Sequence, residues 1–188
     1  MSKILGYTST SAGLSFRIAE STTVQESVLD LLMDGAGTAY TELQVRERLG
    51  LPKSSTHRAL KELADQGLAS VESVGRTLLY RIDPDDPLVH HLKIARAISK
   101  ARSALAPVAD DIDLAVLFGS ASRGEDTEGS DLDLFVVTSD VDRVLGELAR
   151  HGWLQPVVVT PSQHMQIIAE GGAFSRAIAE GIRVGGRR

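Results

Sequence analysis

Residues 117–137 read LFGSASRGEDTEGSDLDLFVV. Two apolar runs of strand type, 114–118 and 132–137, bracket a polar loop. Gly119-Ser120 closes the first run and Asp131-Leu132-Asp133 opens the second. Carboxylates at i and i+2 of a strand project from the same face, a few ångströms apart. Two like charges held that close are costly unless a cation lies between them, and hard oxygen ligands of this kind suit Mg²⁺. A glycine–serine step between a strand and a turn offers N–H groups and a hydroxyl to a phosphate. Phosphate and metal residues joined by one short connection describe a site for a nucleoside triphosphate, in which a divalent ion neutralises charge and orients an attacking hydroxyl.

Outward from this stretch the second half alternates strand and helix. The pattern predicts a further strand over residues 154–159, helices over 141–151 and 162–170, and a tail with a helix at 174–180 and a strand at 182–184. Asp140 and Asp142 read as caps of the first of these helices. Glu125, Asp126 and Glu128 read as a solvated acidic loop, His151 and His164 as surface residues, and Trp153 as core. Upstream, Asp86 and Pro87 start a helix that runs to about residue 106, with Leu88, Leu92, Ala95, Ile98, Ala101 and Leu105 as its apolar stripe. His90 and His91, adjacent on that helix, do not converge on one metal.

The first half has a different grammar. Thr23 with Glu26, and Thr41 with Gln44, are capping-box pairs that open two helices. Gly35 and Gly37 stop the first helix, whose inward positions are Val24, Val28, Leu31 and Leu32. A third helix is predicted from about Ser54 to Gln66, with Thr56, Leu60 and Leu63 inward and Gly67 at its end. Residues 68–71 and 77–82 flank Gly75-Arg76 as a β-hairpin. Residues 1–22 are small, polar and weakly patterned, and read as a flexible arm with one short strand near 14–19.

The segment 117–137 resembles the signature of the minimal nucleotidyltransferases, small members of the DNA polymerase β superfamily. The resemblance rests on Gly119-Ser120, Arg123-Gly124-Glu125, Ser130 and Asp131-Leu132-Asp133 between two apolar strands, and it extends over roughly residues 108–185. It implies nucleotide binding by Gly119, Ser120, Arg123 and Ser130, with Asp131 and Asp133 as metal ligands and catalytic residues. One departure stands out. Full catalysts of that superfamily usually carry a third carboxylate on a following strand, and here that strand reads Leu154-Gln155-Pro156-Val157-Val158-Val159.

Residues 23–83 resemble a winged helix-turn-helix of the kind common in bacterial and archaeal regulators. In that fold the third helix lies in the major groove and its first residues meet base edges. The matching positions are Lys53, Ser54, Ser55, His57, Arg58 and Lys61, with Arg76 at the wing tip. The competing reading is a dimerisation or docking module whose charges are merely solvated, since Glu62, Asp65 and Glu72 dilute the positive field.

The expected fold class is therefore α+β: an N-terminal winged helix-turn-helix followed by a small mixed-sheet nucleotidyltransferase domain. The expected division is a flexible arm (1–22), the winged helix (23–86), a connector helix (87–107) and the nucleotidyltransferase-like domain (108–188). The chain of 188 residues has 43% hydrophobic and 24% charged residues, within the ordinary range for a globular protein. It lacks cysteine, which excludes disulfides, thiolate catalysis and Cys-ligated zinc. A net charge of −5 leaves room for DNA binding, which needs a local basic patch and not a basic total. No run reaches the ~18 apolar residues of a membrane helix, and no leader pattern opens the chain, so a cytoplasmic location is expected.

Joined, the two halves resemble a recurrent prokaryotic architecture of transcriptional regulators, and related minimal nucleotidyltransferases act as antitoxins. The resemblance implies two functions. One is a DNA-binding regulator, of antitoxin type when paired with a toxin, whose second domain binds a nucleoside triphosphate with Mg²⁺. The other is an active nucleotidyltransferase that moves a nucleoside monophosphate onto a protein or RNA hydroxyl. The missing third carboxylate favours the first. Double-stranded DNA, a nucleotide and a second copy of the chain are the expected partners, the connector's stripe serving the homodimer.

Overall fold

The computed structural model describes residues 23–187; the short strand expected near 14–19 lies outside the described residues. Helices α1 (Val24–Asp34), α2 (Glu42–Leu49) and α3 (Lys53–Asp65) come first, with the two-residue strand β1 (Tyr40–Thr41) before α2. Both capping boxes are formed: the Thr23 hydroxyl accepts from the Glu26 amide and the Thr41 hydroxyl from that of Gln44, and each acidic or amide side chain answers. Strands β2 (Ser70–Val74) and β3 (Thr77–Arg81) form the hairpin, with Gly75 in the left-handed region at its turn. β1 pairs antiparallel with β3, giving the order β1-β3-β2. This third strand is too short to show a period of its own in the sequence. Val28, Leu32, Val45, Leu60, Leu63, Tyr80 and Ile82 meet in one core beneath the three helices and hairpin.

Helix α4 (Pro87–Leu105) follows, capped by Asp86, whose carboxylate accepts from the Leu88 amide. It touches both halves. Val89 belongs to the first core, and Ala97, Ala101, Ala104 and Leu105 to the second. Its buried face is offset from the expected stripe: Leu88 is 53% exposed and Ala95 is exposed, whereas Lys93 is only 5% exposed. The stripe misread the helix because two cations, Lys93 and Arg96, are part of the side that turns inward.

The second half contains β4 (Ile112–Leu117), β5 (Leu132–Thr138), α5 (Val141–Leu148), β6 (Leu154–Val159), α6 (Pro161–Glu170), α7 (Ala173–Ala179) and β7 (Ile182–Gly185). The sheet is mixed, in the order β6-β5-β4-β7, with β5 and β6 parallel and the other pairs antiparallel. One face, carrying Leu132, Leu134 and Val136, packs on α4 and α5. The opposite face, carrying Phe135 and Val137, packs on Ile167 of α6 and Ile178 of α7. Among the described residues no helix is long and apolar enough to cross a membrane.

Candidate nucleotide and metal site

Strand alternation fixes the site's position. Since Leu132 and Leu134 face α4, Asp133 faces the α6–α7 side with Phe135, two residues on. Asp131 lies just before β5 and is exposed; Asp133 is half-buried. Burial, and then the neighbouring Asp131 charge, pushes the Asp133 carboxyl above its ordinary range. The Asp131 charge thus bears on the ionisation of Asp133 as a nearby like charge does.

Gly119 ends the run after β4, where the Phe118 amide still donates to the Asp133 carbonyl at 3.0 Å. Its φ is +73°, and a Cβ on it would overlap the Asp133 carboxylate. A residue without a side chain is therefore required twice, for conformation and for room. Ser120 starts a short 3-10 turn (Ala121–Arg123) without a side-chain capping bond. A left-handed residue followed by a right-handed one is the backbone arrangement that forms anion-holding concavities.

Arg123 is exposed but committed locally: its guanidinium donates to the Gly119 carbonyl at 2.9 Å and to Glu125 at 2.7 Å. It braces the glycine turn, and reaching a phosphate would mean leaving Glu125. The Ser130 hydroxyl accepts from the Thr127 amide at 3.0 Å, closing the loop ahead of Asp131. Gly124, at φ +72°, packs so closely on the α4 backbone at His90 that no side chain would fit.

The third strand brings Gln155 beside the pair. It sits opposite Asp133 in the parallel register, and its amide donates to the Asp131 carboxylate at 3.2 Å. Among the described residues no three His, Asp or Glu converge on one point that would hold a metal. Two carboxylates with one neutral neighbour fit one hard cation shared with a ligand's phosphates, and fall short of a two-metal set.

In the acidic loop Glu125 and Glu128 are exposed as expected, but Asp126 is not solvated. Asp126 accepts from Arg96 at 3.1 Å, and the Lys93 ammonium donates to the Asp126 carbonyl. Arg96, 13% exposed, also binds Asp30 at 3.1 Å and Asp34 at 2.6 Å, both on α1. Burial draws the Arg96 pKa down, but Asp34 and Asp30 outweigh it and the net shift is upward. Glu128 joins in through its amide, which donates to the Asp34 carbonyl, and through its carboxylate, 3.5 Å from Arg48. No sequence period reports such pairings, because the partners lie 30 and 62 positions apart. Trp153 is not core: it is 38% exposed, in a tilted ring contact with His151, and lines a crevice of about 210 Å³ with Arg96, Lys100, Asp126 and Asp131.

In the first half, Lys53, Ser54, His57, Arg58 and Lys61 are exposed on α3 and Ser55 is half-buried, while Thr56, Leu60 and Leu63 point inward. No acidic residue occupies the first turn of α3. His57 is not free, since its ring nitrogen lies 2.9 Å from Glu42 of α2. Arg76 is exposed at the hairpin tip. His90 and His91 bond to the carbonyls of Pro84 and Pro87, as ordinary helix residues do.

Three helices with a hairpin, followed by a mixed sheet bearing Gly-Ser and Asp-x-Asp, define the class: a winged helix-turn-helix joined to a nucleotidyltransferase-type domain. Comparison with protein families agrees. Residues 27–73 match the IclR helix-turn-helix domain and residues 95–165 match the nucleotidyltransferase domain, so the chain carries these two family domains in that order. The second match begins within α4. Among solved structures, a protein of Sulfolobus solfataricus described provisionally as a nucleotidyltransferase is 16% identical, with a TM-score of 0.37. That similarity covers 53% of this chain and 88% of the other. No curated protein matches.

Proposed function

We propose that the protein is a DNA-binding regulator whose second domain binds a nucleoside triphosphate with Mg²⁺ and transfers from it slowly or not at all. The observation that carries this reading is the Gln155 amide bonded to Asp131, at the strand position beside the aspartate pair. An amide there holds Asp131 in place but can neither take a proton from an acceptor hydroxyl nor add a negative ligand. Asp131 and Asp133 would hold the cation, and Gly119 and Ser120 the phosphates. A bound Mg²⁺ would neutralise phosphate charge and draw the triphosphate against the aspartates.

On the other half, Arg58 and Lys61 would contact bases or phosphates from α3, supported by Lys53, Ser54 and Ser55 near its start and Arg76 on the wing. His57 joins only by giving up Glu42. A homodimer would present two such helices about one DNA turn apart, ~34 Å. Leu88 and Ala95, exposed on α4, supply an apolar strip for that contact. As an antitoxin-type autoregulator the protein would bind its own promoter and a toxin encoded beside it.

The intact Gly119-Ser120 and the charged pair Asp131–Asp133 favour a second reading, an active transferase acting on a protein or RNA hydroxyl. Anisotropy with duplex DNA from upstream of the coding region, run beside an assay with α-³²P-labelled NTP, separates the two. The regulator shows saturable DNA binding and no label transfer within the time of the DNA assay. Absence of specific DNA binding, or rapid labelling lost in Asp131→Ala, would overturn it.

A further inference from the structure

The loop from Ser120 to Asp131 begins at the phosphate residue and ends at the metal residue, and its middle is fastened to the DNA-binding half. Three segments meet there. Asp30 and Asp34 come from α1, Arg96 and Lys93 from α4, and Asp126 from the loop. The Glu128 amide adds a backbone bond to α1 at Asp34, and Arg48 of α2 reaches the Glu128 carboxylate. Gly124 presses on the α4 backbone, which leaves the loop's first turn no slack on that side. Helix α1 in turn packs on α3, the helix that carries Arg58 and Lys61.

We propose that this strap links the two sites: occupation of the nucleotide site changes DNA affinity, and DNA binding changes nucleotide affinity, through the Arg96–Asp126 contact. The inference rests on the reading of both sites given above. Closure of Asp131 and Gly119 around a ligand displaces the ends of a loop whose centre is held by α1. The strap then either carries α1 and α3 along or loses its contacts with them, and in both cases the free energy of one binding event includes a contribution from the other. Asp126 is suited to this part because it is poorly satisfied where it stands. One of its carboxylate oxygens is buried without a hydrogen-bond partner, so the clamp has little to hold it beyond Arg96 and Lys93. Trp153, the chain's single tryptophan, lines the same crevice as Arg96 and Asp126 and serves as a fluorescent probe there.

The test uses the full chain, Mg·ATP, Mg·GTP, Mg·CTP and Mg·UTP in turn, and duplex DNA from upstream of the coding region. DNA affinity is measured by anisotropy with and without saturating nucleotide, and nucleotide affinity by calorimetry with and without DNA. The wild type should show a linkage factor of at least fivefold, equal in both directions, together with a nucleotide-induced change in Trp153 fluorescence and in hydrogen exchange across α1. Asp126→Asn, which keeps the shape and removes the charge, should bring the factor to within twofold of one while each site still binds its own ligand. Arg96→Lys, which cannot span three carboxylates, should act in the same direction. A wild-type factor of one with both ligands bound, or a full factor retained in Asp126→Asn, would overturn the linkage and leave the two sites standing. Failure of every nucleotide or of the DNA to bind would overturn the site readings and the linkage with them.

Discussion

Two groups of aspartates in this protein behave oppositely. Asp30, Asp34 and Asp126 gather around Arg96, with Lys93 beside them, and each carboxylate has a cation partner. Asp131 and Asp133 are neighbouring like charges; among the described residues the Gln155 amide is the side-chain partner of Asp131, and no cation is paired with either. Compensated acids hold the structure together. An uncompensated pair is kept at a cost in stability, and costs of that kind are characteristic of sites that bind something. Residue type does not separate the groups; the charges opposite them do.

The contrast breaks most visibly at Arg96. Replacing it with methionine leaves three carboxylates around an apolar side chain. The expected loss is about 3 kcal/mol, toward the low end for a broken buried pair because Asp30 and Asp34 keep much of their contact with water. Thermal unfolding should register this as a clear drop in Tm, whereas Asp131→Asn, which relieves repulsion, should leave Tm unchanged or raise it. Equal losses in the two variants would remove the distinction between the groups.

Gly119→Ala attacks the other side of the comparison. The positive φ alone costs about 1–2 kcal/mol, and the new methyl displaces the Asp133 carboxylate. Nucleotide binding should therefore fall well beyond the loss of stability. Calorimetry of the folded variant checks this, and affinity within twofold of wild type would count against the proposed cradle.

Arg58→Ala and Lys61→Ala should leave nucleotide affinity alone and each weaken DNA binding by about 1–3 kcal/mol, with a flatter salt dependence for a lost phosphate contact. Titrations at three salt concentrations distinguish base from phosphate contacts.

The smallest effect is in pH. Asp133 titrates above its ordinary value of 3.8. A carboxyl whose folded pKa is raised binds its proton more tightly in the native state, so it destabilises the fold when charged. That penalty is absent below 3.8, grows as pH rises to the raised value, and is constant above it. Asp133→Asn should remove this slope from the wild-type profile of Tm against pH. Parallel profiles for the two proteins would argue against the shift.

Much of the architecture was legible in local sequence. Thr23 with Glu26, Thr41 with Gln44, and Asp86 with Pro87 mark helix starts through bonds that span a few residues, and each forms. The strands at Gly119-Ser120 and Asp131-Leu132-Asp133 were legible too, from their apolar runs. What escaped was long-range. Arg96 and Lys93 fall outside the expected apolar stripe of α4, and Asp126 reads as a solvated loop residue, since nothing local reveals that α1 and the 120–131 loop close over them. Trp153, beside the third strand, reads as core, although the turn that carries it leaves it exposed along the crevice.

The central claim, that the uncompensated pair is a cation-dependent nucleotide site, is tested most directly by calorimetric titration of the full chain with an NTP in the presence and absence of Mg²⁺, beside Asp131→Ala and Asp133→Ala. The account predicts saturable binding that requires Mg²⁺ and weakens at least tenfold in both variants. Binding unchanged by either substitution, or no binding of any NTP by the wild type, would contradict it.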